Sequence, residues 1–316
     1  MAPFAYLVFF VSLISSFCLH VSAFHEARTC ELSHSDGADA FEQAARNPDC
    51  DTILIGPSTT LNITTKLNLT GISNKHISVQ GTIKFNPDLN YWSQNAYTFV
   101  FQNQSAFWLL GGNNILMDGG GKLDGSGQAW YDAFAKNSNV VRPILLTVFQ
   151  ATNITIKDLT MTNSPEWVNF VNEGKSITYR NITISIVSGS SNPPKNTDGW
   201  DTYRSDGVVI SDSVVTNTDD CVSFKPNSTN ILVANMFCSG SHGISVGSLS
   251  QYPGEFDIVQ DILATNITMV NAQNGARIKS WAGRNVGAGL VRNVTFTGFT
   301  ESNVDNPLVI DQVRIQ

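Results

Sequence analysis

Side chains that could carry out acid–base chemistry are concentrated in four short segments in the second half of the chain. These segments read NTDGWD from Asn196, NTDDC from Asn217, SHGISVGS from Ser241 and ARIKSW from Ala276. Within them, Asp198, Asp220 and His242 follow one another at intervals of 22 positions. An interval of this length is typical of one turn of a β-solenoid, in which equivalent residues stack on one another. We therefore expect these three side chains to form a column.

The acidic residues of this column suggest hydrolysis of a glycosidic bond. Neighbouring coils of a parallel solenoid lie about 4.8 Å apart, so Asp198 and Asp220 would be close, and Asp219 would join them if the chain bends at Thr218. Like charges at this distance raise at least one carboxyl pKa, which is what a general acid requires. One carboxylic acid would protonate the leaving oxygen while the other carboxylates activate water.

The cations of the fourth segment suggest that the ligand is an acidic sugar. Arg277 and Lys279 are two positions apart, so a strand would place both on one face. A simpler interpretation exists for each residue alone, since aspartates and His242 can stabilise turns and cations can lie on a solvated face. The matched spacing of all four segments favours a common site.

A repeated strand pattern predicts the scaffold of this site. From about residue 145 onward, short runs rich in β-branched residues recur, and the element N-I/V-T-I/M/F begins at Asn153, Asn181, Asn266 and Asn293. Repeats of this length in strand-forming sequence predict an all-β, single-stranded parallel β-helix. The leucine-rich repeat frame and propeller blade signatures are not found.

Three further segments lie outside the repeat. Residues 37–46 predict a helix, capped by Asp36, that would cover the N-terminal end of the solenoid. The glycine-rich residues 118–142 suggest an excursion between coils. The last residues, NVDNPLVIDQVRIQ, stop inside another coil, so we expect C-terminal coils to be missing.

The composition is that of a folded, acidic protein. The 316 residues are 42% hydrophobic and 14% charged, with a net charge of −7. This apolar content is sufficient for a large core and excludes disorder as the main state. The negative charge opposes an anionic polymer at long range, so attraction would come locally from the two cations. We expect no nucleic-acid partner, no membrane partner and a monomer.

The N-terminus predicts secretion. Residues 4–18 are apolar but short for a membrane span, and Val21 to Ala23 offer a small-residue cleavage site. We therefore assign residues 1–23 to a signal peptide and residues 24–316 to one β-helix catalytic domain. Eight N-x-S/T sequons would then be candidate glycan sites, although asparagine also serves solenoid turns. They begin at Asn62, Asn68, Asn103, Asn153, Asn181, Asn227, Asn266 and Asn293.

The cysteines predict local disulfides instead of a metal site. Their separations favour pairing of Cys30 with Cys50 and of Cys221 with Cys238. None stands in a CxxC arrangement, and no histidine lies at ligand spacing beside two of them, so zinc is a poor fit. We expect neither a metal nor another cofactor.

The four segments resemble the signatures of glycoside hydrolase family 28, the polygalacturonases: N-T-D, D-D followed by Cys, G/S-H-G and R-I-K. All four stand here in the same order. The resemblance implies a right-handed, pectin-lyase-like β-helix. It also implies that Asp219 is the general acid and that Asp198 and Asp220 activate the attacking water, with inversion. His242 would support the protonation of the acid, and Arg277 with Lys279 would bind the substrate carboxylate.

Flanking sequence is most similar to the fungal exo-acting members of this family. The resemblance therefore implies hydrolysis of α-1,4-linked galacturonic acid from pectin or polygalacturonate, releasing the monomer outside the cell. Candidate loops that would block the cleft are residues 90–97 and Trp130. Alternatives left open are an endo-polygalacturonase, a calcium-dependent pectate lyase in which the aspartates ligate the ion, and an inactive truncated homologue.

Overall fold

A computed structural model describes residues 27–314, which are built mainly from short parallel strands. The signal peptide assigned to residues 1–23 lies outside the described residues. The strands in the first half are β1 Thr29–Leu32, β2 Thr52–Ile55, β3 Thr60–Ile63, β4 Leu67–Val79, β5 Thr82–Phe85, β6 Tyr97–Thr98, β7 Ser105–Ala106, β8 Trp108–Asp118, β9 Lys122–Asp124, β10 Pro143–Ile144 and β11 Leu146–Thr162. Those that follow are β12 Asn169–Asn172, β13 Lys175–Ser185, β14 Trp200–Tyr203, β15 Asp206–Thr216, β16 Val222–Phe224, β17 Ser228–Ser239, β18 Ile244–Leu249, β19 Phe256–Ala282 and β20 Ala288–Arg314.

These strands wind into three parallel faces, because the longer strands bend and contribute to more than one face. The first face carries β12, β14, β16 and β18, in which Asn169 pairs with Trp200, Trp200 with Val222, and Val222 with Ile244. The second and third faces are formed by successive parts of β11, β13, β15, β17, β19 and β20. The predicted all-β parallel β-helix is therefore confirmed.

Inward-pointing aliphatic residues stack from coil to coil and form the core. On the second face, Ile154 pairs with Ile177, Ile177 with Val208, and Ile231 with Ile262. Each of these side chains is at most 2% exposed. Strand side chains alternate between the two faces of a sheet, so every second residue is available for this interior column. The stacking also holds each coil in register, since a slip of one residue would expose the column.

Asparagines with left-handed backbone form the corners between faces. Asn153, Asn181, Asn266 and Asn293 have φ values between 51° and 56°, a conformation in which asparagine is enriched. Each donates its side-chain amide to the equivalent Asn or Asp of the preceding coil, over 2.7 to 2.8 Å. Four of the eight sequons therefore coincide with structural corner residues.

One helix covers the N-terminal end of the solenoid, as predicted. Helix α1, Ala38–Arg46, buries Ala38, Phe41 and Ala45 against the first coils. Its N-cap is Gly37, without a side-chain cap. The prediction that Asp36 caps the helix is wrong, because its carboxylate accepts hydrogen bonds from the backbone and hydroxyl of Ser33 instead.

Two insertions leave the solenoid near its first face. The first contains helix α2, Leu89–Asn95, and strands β6 and β7; the second contains helix α3, Gln128–Phe134, and ends at β10. Residues 118–142 are not wholly an excursion, because β9 pairs with β5 and β11 as part of the third face. Within residues 27–314, no helix has the length and apolar character required to cross a membrane.

Candidate active site

A bend at the start of one coil directs two adjacent aspartates to the same side. Residues 218 and 219 form the bend before β16. Asn217 is buried beneath it and donates to the backbone oxygens of Thr197, Asp219 and Asp220 over 2.8 to 3.0 Å. Because the bend interrupts the alternation of side chains along a strand, the carboxylates of Asp219 and Asp220 both reach the same side of the coil. A bend at Thr218 was the condition under which the sequence predicted that Asp219 would join the cluster.

The structure brings Asp198, Asp219 and Asp220 together. Their carboxylate oxygens lie within 4.8 Å of one another. The backbone N–H of Gly199 donates to the carbonyl of Asp220 on the next coil, over 2.9 Å. Their side chains are 4%, 17% and 0% exposed respectively, so Asp219 is the most accessible of the three.

His242 occupies the next coil of the column, but its ring is directed towards Asp219. The Nδ1 atom lies 3.1 Å from Oδ1 of Asp219. This hydrogen bond raises the pKa of His242. Burial alone would raise the pKa of Asp219, but the hydrogen bond and charge of His242, together with the charge of Lys279, leave that pKa below its ordinary value.

The pKa of Asp198 is shifted in the opposite direction from that of Asp219. Burial, with the charges of Asp201 and Asp219, raises the pKa of Asp198 well above its ordinary value. The pKa of Asp198 is thus raised chiefly by burial, with like charges adding to the shift, whereas the pKa of Asp219 is lowered. Because these groups interact strongly, the proton belongs to the cluster as a whole and can be redistributed.

A buried network of ion pairs contacts the carboxylate of Asp198. Lys225 Nζ lies 3.0 Å from Asp201 Oδ1 and 3.6 Å from Asp198 Oδ2. Burial would lower the pKa of Lys225, but the two carboxylates raise it. Burial raises the pKa of Asp201 to about 7. Sequence reasoning did not identify Lys225 or Asp201. The available signal for this ion pair was the position of Lys225, which directly follows the strand Val222–Phe224 and lies about one coil after two aspartates.

The two predicted cations have different surroundings. Lys279 Nζ forms an ion pair of 2.6 Å with Asp220, whose other oxygen accepts a hydrogen bond from Ser245. Arg277 instead donates to Asp311 of β20 over 2.8 Å. Lys279 lines the cleft that contains the aspartates, whereas Arg277 is not among the described residues that line it. Lys279 therefore contacts the aspartate cluster, whereas Arg277 does not.

Asp198 and Asp219 line a cleft of about 690 Å³, whereas Asp220 is fully buried and is not among the described residues that line it. Four residues of the segment 100–104 in the first insertion also line this cleft, and the segment is fixed by contacts to distant coils. The backbone N–H of Gln102 donates to the Tyr252 hydroxyl over 2.8 Å, and the ring of Phe101 stacks on Tyr203 with centroids 4.0 Å apart. The side chain of Gln104, from the same segment, interacts with Glu166 and lowers its pKa. Both residues line the cleft on the side of the coil that precedes Asp198.

The residues proposed from the sequence to block the cleft are not among the described residues that line it. Trp92 and Trp130 are fully buried in the main core. The indole N–H of Trp130 donates to the carbonyl of Val141. These aromatic residues anchor the insertions, and the side chains of the first insertion that line the cleft come from the segment 100–104.

Both expected disulfides are formed, between Cys30 and Cys50 and between Cys221 and Cys238. The second bond begins directly after Asp220 and joins the start of that coil to its end, 17 residues later. It therefore restricts the backbone that carries the two adjacent aspartates.

The aspartate cluster has three oxygens near enough to one another for a metal ion. Calcium prefers six to eight oxygen ligands. Here the ammonium groups of Lys225 and Lys279 already occupy positions beside Asp198 and Asp220. A cation would have to displace these ammonium groups, so the donor set fits acid–base chemistry better than calcium binding.

The chain is similar to known proteins in sequence and in fold. A sequence model described as Glycosyl hydrolases family 28 matches residues 47–315. An exopolygalacturonase of Cochliobolus carbonum is 52% identical over 79% of this chain and 58% of its own length. Exopolygalacturonase X of Aspergillus niger is 43% identical over 90% of this chain and 69% of its own length. The structure of an endo-xylogalacturonan hydrolase from Aspergillus tubingensis aligns with a TM-score of 0.80 and 33% identity, covering 90% of this chain and 76% of that one.

Proposed function

The chain belongs to glycosyl hydrolases family 28, and from this membership we propose that it hydrolyses α-1,4-galacturonosyl bonds of polygalacturonate. It spans 58% of the length of the Cochliobolus carbonum relative. The proposal therefore rests chiefly on the site that this chain itself carries. The observation that supports it most is the cluster of Asp198, Asp219 and Asp220 beside Lys279.

In the proposed reaction, Asp219 donates its proton to the glycosidic oxygen as the bond from that oxygen to the anomeric carbon breaks. A water held by Asp198 and Asp220 attacks the anomeric carbon from the opposite side and gives its proton to one of these carboxylates. Asp219 is the accessible member of the cluster, which suits contact with the leaving oxygen. Asp198 and Asp220 are buried beneath it, which suits holding a water.

Substrate binding would prepare Asp219 for this role. In the free protein, His242 and Lys279 hold the pKa of Asp219 down. A substrate carboxylate beside Lys279 would neutralise part of that positive charge. The pKa of Asp219 would then rise, and the proton of the cluster could move from Asp198 to Asp219 before bond cleavage.

The contact of Gln104 with Glu166 supports action at a chain end. We propose that these two side chains close this end of the cleft, so that only a terminal sugar reaches the aspartates from that side. The names of the exopolygalacturonase relatives support the same mode of action. We therefore propose release of galacturonic acid from the non-reducing end.

We also propose that the protein acts outside the cell as a monomer on pectin. The two disulfides support this location, because such bonds persist in oxidising compartments. A negatively charged protein that acts on an anionic polymer depends on the local cation Lys279 for attraction.

A product time course on polygalacturonate tests the proposal. Galacturonic acid as the sole early product is the expected result, with no loss of activity on addition of a calcium chelator. A ladder of oligomers would indicate endo action. Products that absorb ultraviolet light, dependent on calcium, would indicate a lyase, and complete absence of new reducing ends would overturn the hydrolase proposal for this chain.

A further inference from the structure

The end of the cleft that lies before Asp198 along the solenoid carries two hydrogen-bond acceptors, and the cations beside it, Arg142 and Lys225, are themselves paired with carboxylates. Glu166 and Gln104 line this end, with Trp167 beside them. Glu166 lies in the turn before β12, one coil before the turn that carries Asp198, because the backbone N–H of Val168 donates to the carbonyl of Asp198. The aspartates therefore lie between this acceptor end and the coil that carries Lys279.

The carboxylate of Glu166 is fixed in position by a buried arginine. Nη2 of Arg142 lies 3.2 Å from Oε1 of Glu166. The same guanidinium donates to the backbone oxygen of Lys195 over 2.7 Å and to the side chain of Asn196 over 2.8 Å. It also stacks over the ring of Phe134 at 3.8 Å. Through Arg142, these contacts connect Glu166 to the turn at residues 195–198. The orientation of the Glu166 carboxylate is therefore linked to the turn that carries Asp198.

Gln104 supplies a second acceptor, and that acceptor has no partner. The residue is only 6% exposed. Its Oε1 atom makes no hydrogen bond within the described residues 27–314. A buried acceptor without a partner is destabilising, and a hydroxyl group placed in the cleft would satisfy it.

An acceptor pair of this kind selects hydroxyl groups. In an α-1,4-linked chain, oxygen 4 of every internal sugar is part of a glycosidic bond and has no hydrogen to donate. Only the sugar at the non-reducing end has a free 4-hydroxyl.

We propose that Glu166 and Gln104 bind the free 4-hydroxyl of the terminal sugar and thereby determine specificity for chain ends. This inference rests on the proposed function, since it assigns residues to the closed end of that same cleft. Burial raises the pKa of Glu166 to about 7. At acidic pH its carboxyl group can therefore accept a hydrogen bond through one oxygen without carrying a charge.

A pair of substrates that differ only at this hydroxyl provides the test. The probes are trigalacturonate and the same trimer with a 4-deoxy sugar at its non-reducing end. At acidic pH the wild type should prefer the normal trimer by about 2- to 12-fold in kcat/KM, the factor expected for one hydrogen bond between uncharged groups. In Glu166→Ala this preference should fall to nearly one.

Two variants serve as controls. Glu166→Gln retains an acceptor of the same shape and should keep most of the preference at acidic pH. Glu173→Ala changes an exposed glutamate of a neighbouring pocket and should leave the preference at the wild-type value. Thermal melting should confirm that all three variants are folded. A wild type that does not discriminate, or a Glu166→Ala protein that discriminates fully, overturns the inference.

Calorimetric binding of the two trimers to each folded protein separates this inference from the proposed function. If neither trimer is hydrolysed but the wild type binds the normal trimer more tightly and Glu166→Ala does not, the hydrolase proposal fails while the assignment of Glu166 stands. If hydrolysis occurs without any preference for the 4-hydroxyl, the assignment of Glu166 fails alone.

Discussion

The Nδ1 atom of His242 and the carboxylate of Asp219 are 3.1 Å apart, and each shifts the proton affinity of the other. Because the pKa of Asp219 is lowered on folding, its ionised carboxylate stabilises the folded state at pH values above the pKa of the unfolded chain. This contribution is lost as the pH falls through the pKa of the folded state. The raised pKa of His242 contributes stability below about 6.5, its unfolded pKa, and loses it as the pH rises through the folded value. The pair should stabilise most between about pH 4 and 6.5.

This pair can be tested with His242→Asn. The difference in melting temperature between wild type and variant should be largest within that window and should decrease on both sides of it. Melting curves recorded from pH 3 to pH 9 provide the measurement. A difference that does not depend on pH would mean that His242 contributes by packing and not by its charge.

Asp219→Asn should remove the proton donor while preserving the shape of the side chain. We expect kcat to fall by at least about 10²- to 10⁴-fold, the usual range for loss of general acid catalysis. Asp39→Asn, on an exposed position of helix α1, is the matched control and should retain full activity. Reducing-sugar release from polygalacturonate measures both. Near-normal turnover by Asp219→Asn would assign the acid to another residue.

Lys225→Met should destabilise the protein in a pH-dependent way. Removing the ammonium leaves Asp198 and Asp201 buried without a counter-ion, which costs about 3–5 kcal/mol when both are ionised. The carboxyl pKa values would rise further, so the folded state would bind more protons than the unfolded state. The loss of stability should therefore be smallest near pH 4 and should grow towards pH 8. Denaturant unfolding at several pH values measures it, and a constant loss would contradict the ion-pair explanation.

The cations of the fourth segment should contribute unequally to substrate binding. Lys279 lines the cleft, whereas Arg277 is paired with Asp311 outside it. We expect Lys279→Met to raise KM for oligogalacturonates by more than tenfold and Arg277→Met by less. Asp311→Asn, which frees Arg277, is the informative control. A larger effect of Arg277→Met would show that this side chain leaves Asp311 when substrate binds.

The stereochemistry of the product tests the roles of Asp198 and Asp220. The proposal predicts inversion, and proton NMR of the first product should show the β-anomer before mutarotation. The separation rule for two-carboxylate glycosidases associates distances of about 5–5.5 Å with retention, and these three carboxylates have oxygens within 4.8 Å. Initial formation of the α-anomer would therefore identify one of them as a nucleophile.

The repeat spacing was sufficient to predict the parallel β-helix and the proximity of the three aspartates. A fixed interval along the chain becomes a short distance in space when each coil stacks on the previous one. The partners of Arg277 and Lys225 could not be predicted in this way. Whether Asp311 contacts Arg277, and Asp201 contacts Lys225, depends on the conformations of the side chains and not on the repeat. The position of the segment 100–104 depends on long-range contacts, such as that of Gln102 with Tyr252.

The proposed closure of the cleft by Gln104 and Glu166 would also affect the order in which products leave. After cleavage by the proposed reaction, the single sugar would lie at the closed end while the remaining polymer occupies the opposite side. The polymer would have to dissociate before the monomer could follow, so each encounter would remove one sugar. Such an enzyme would be distributive, and accumulated galacturonic acid would compete with fresh chain ends for the same position.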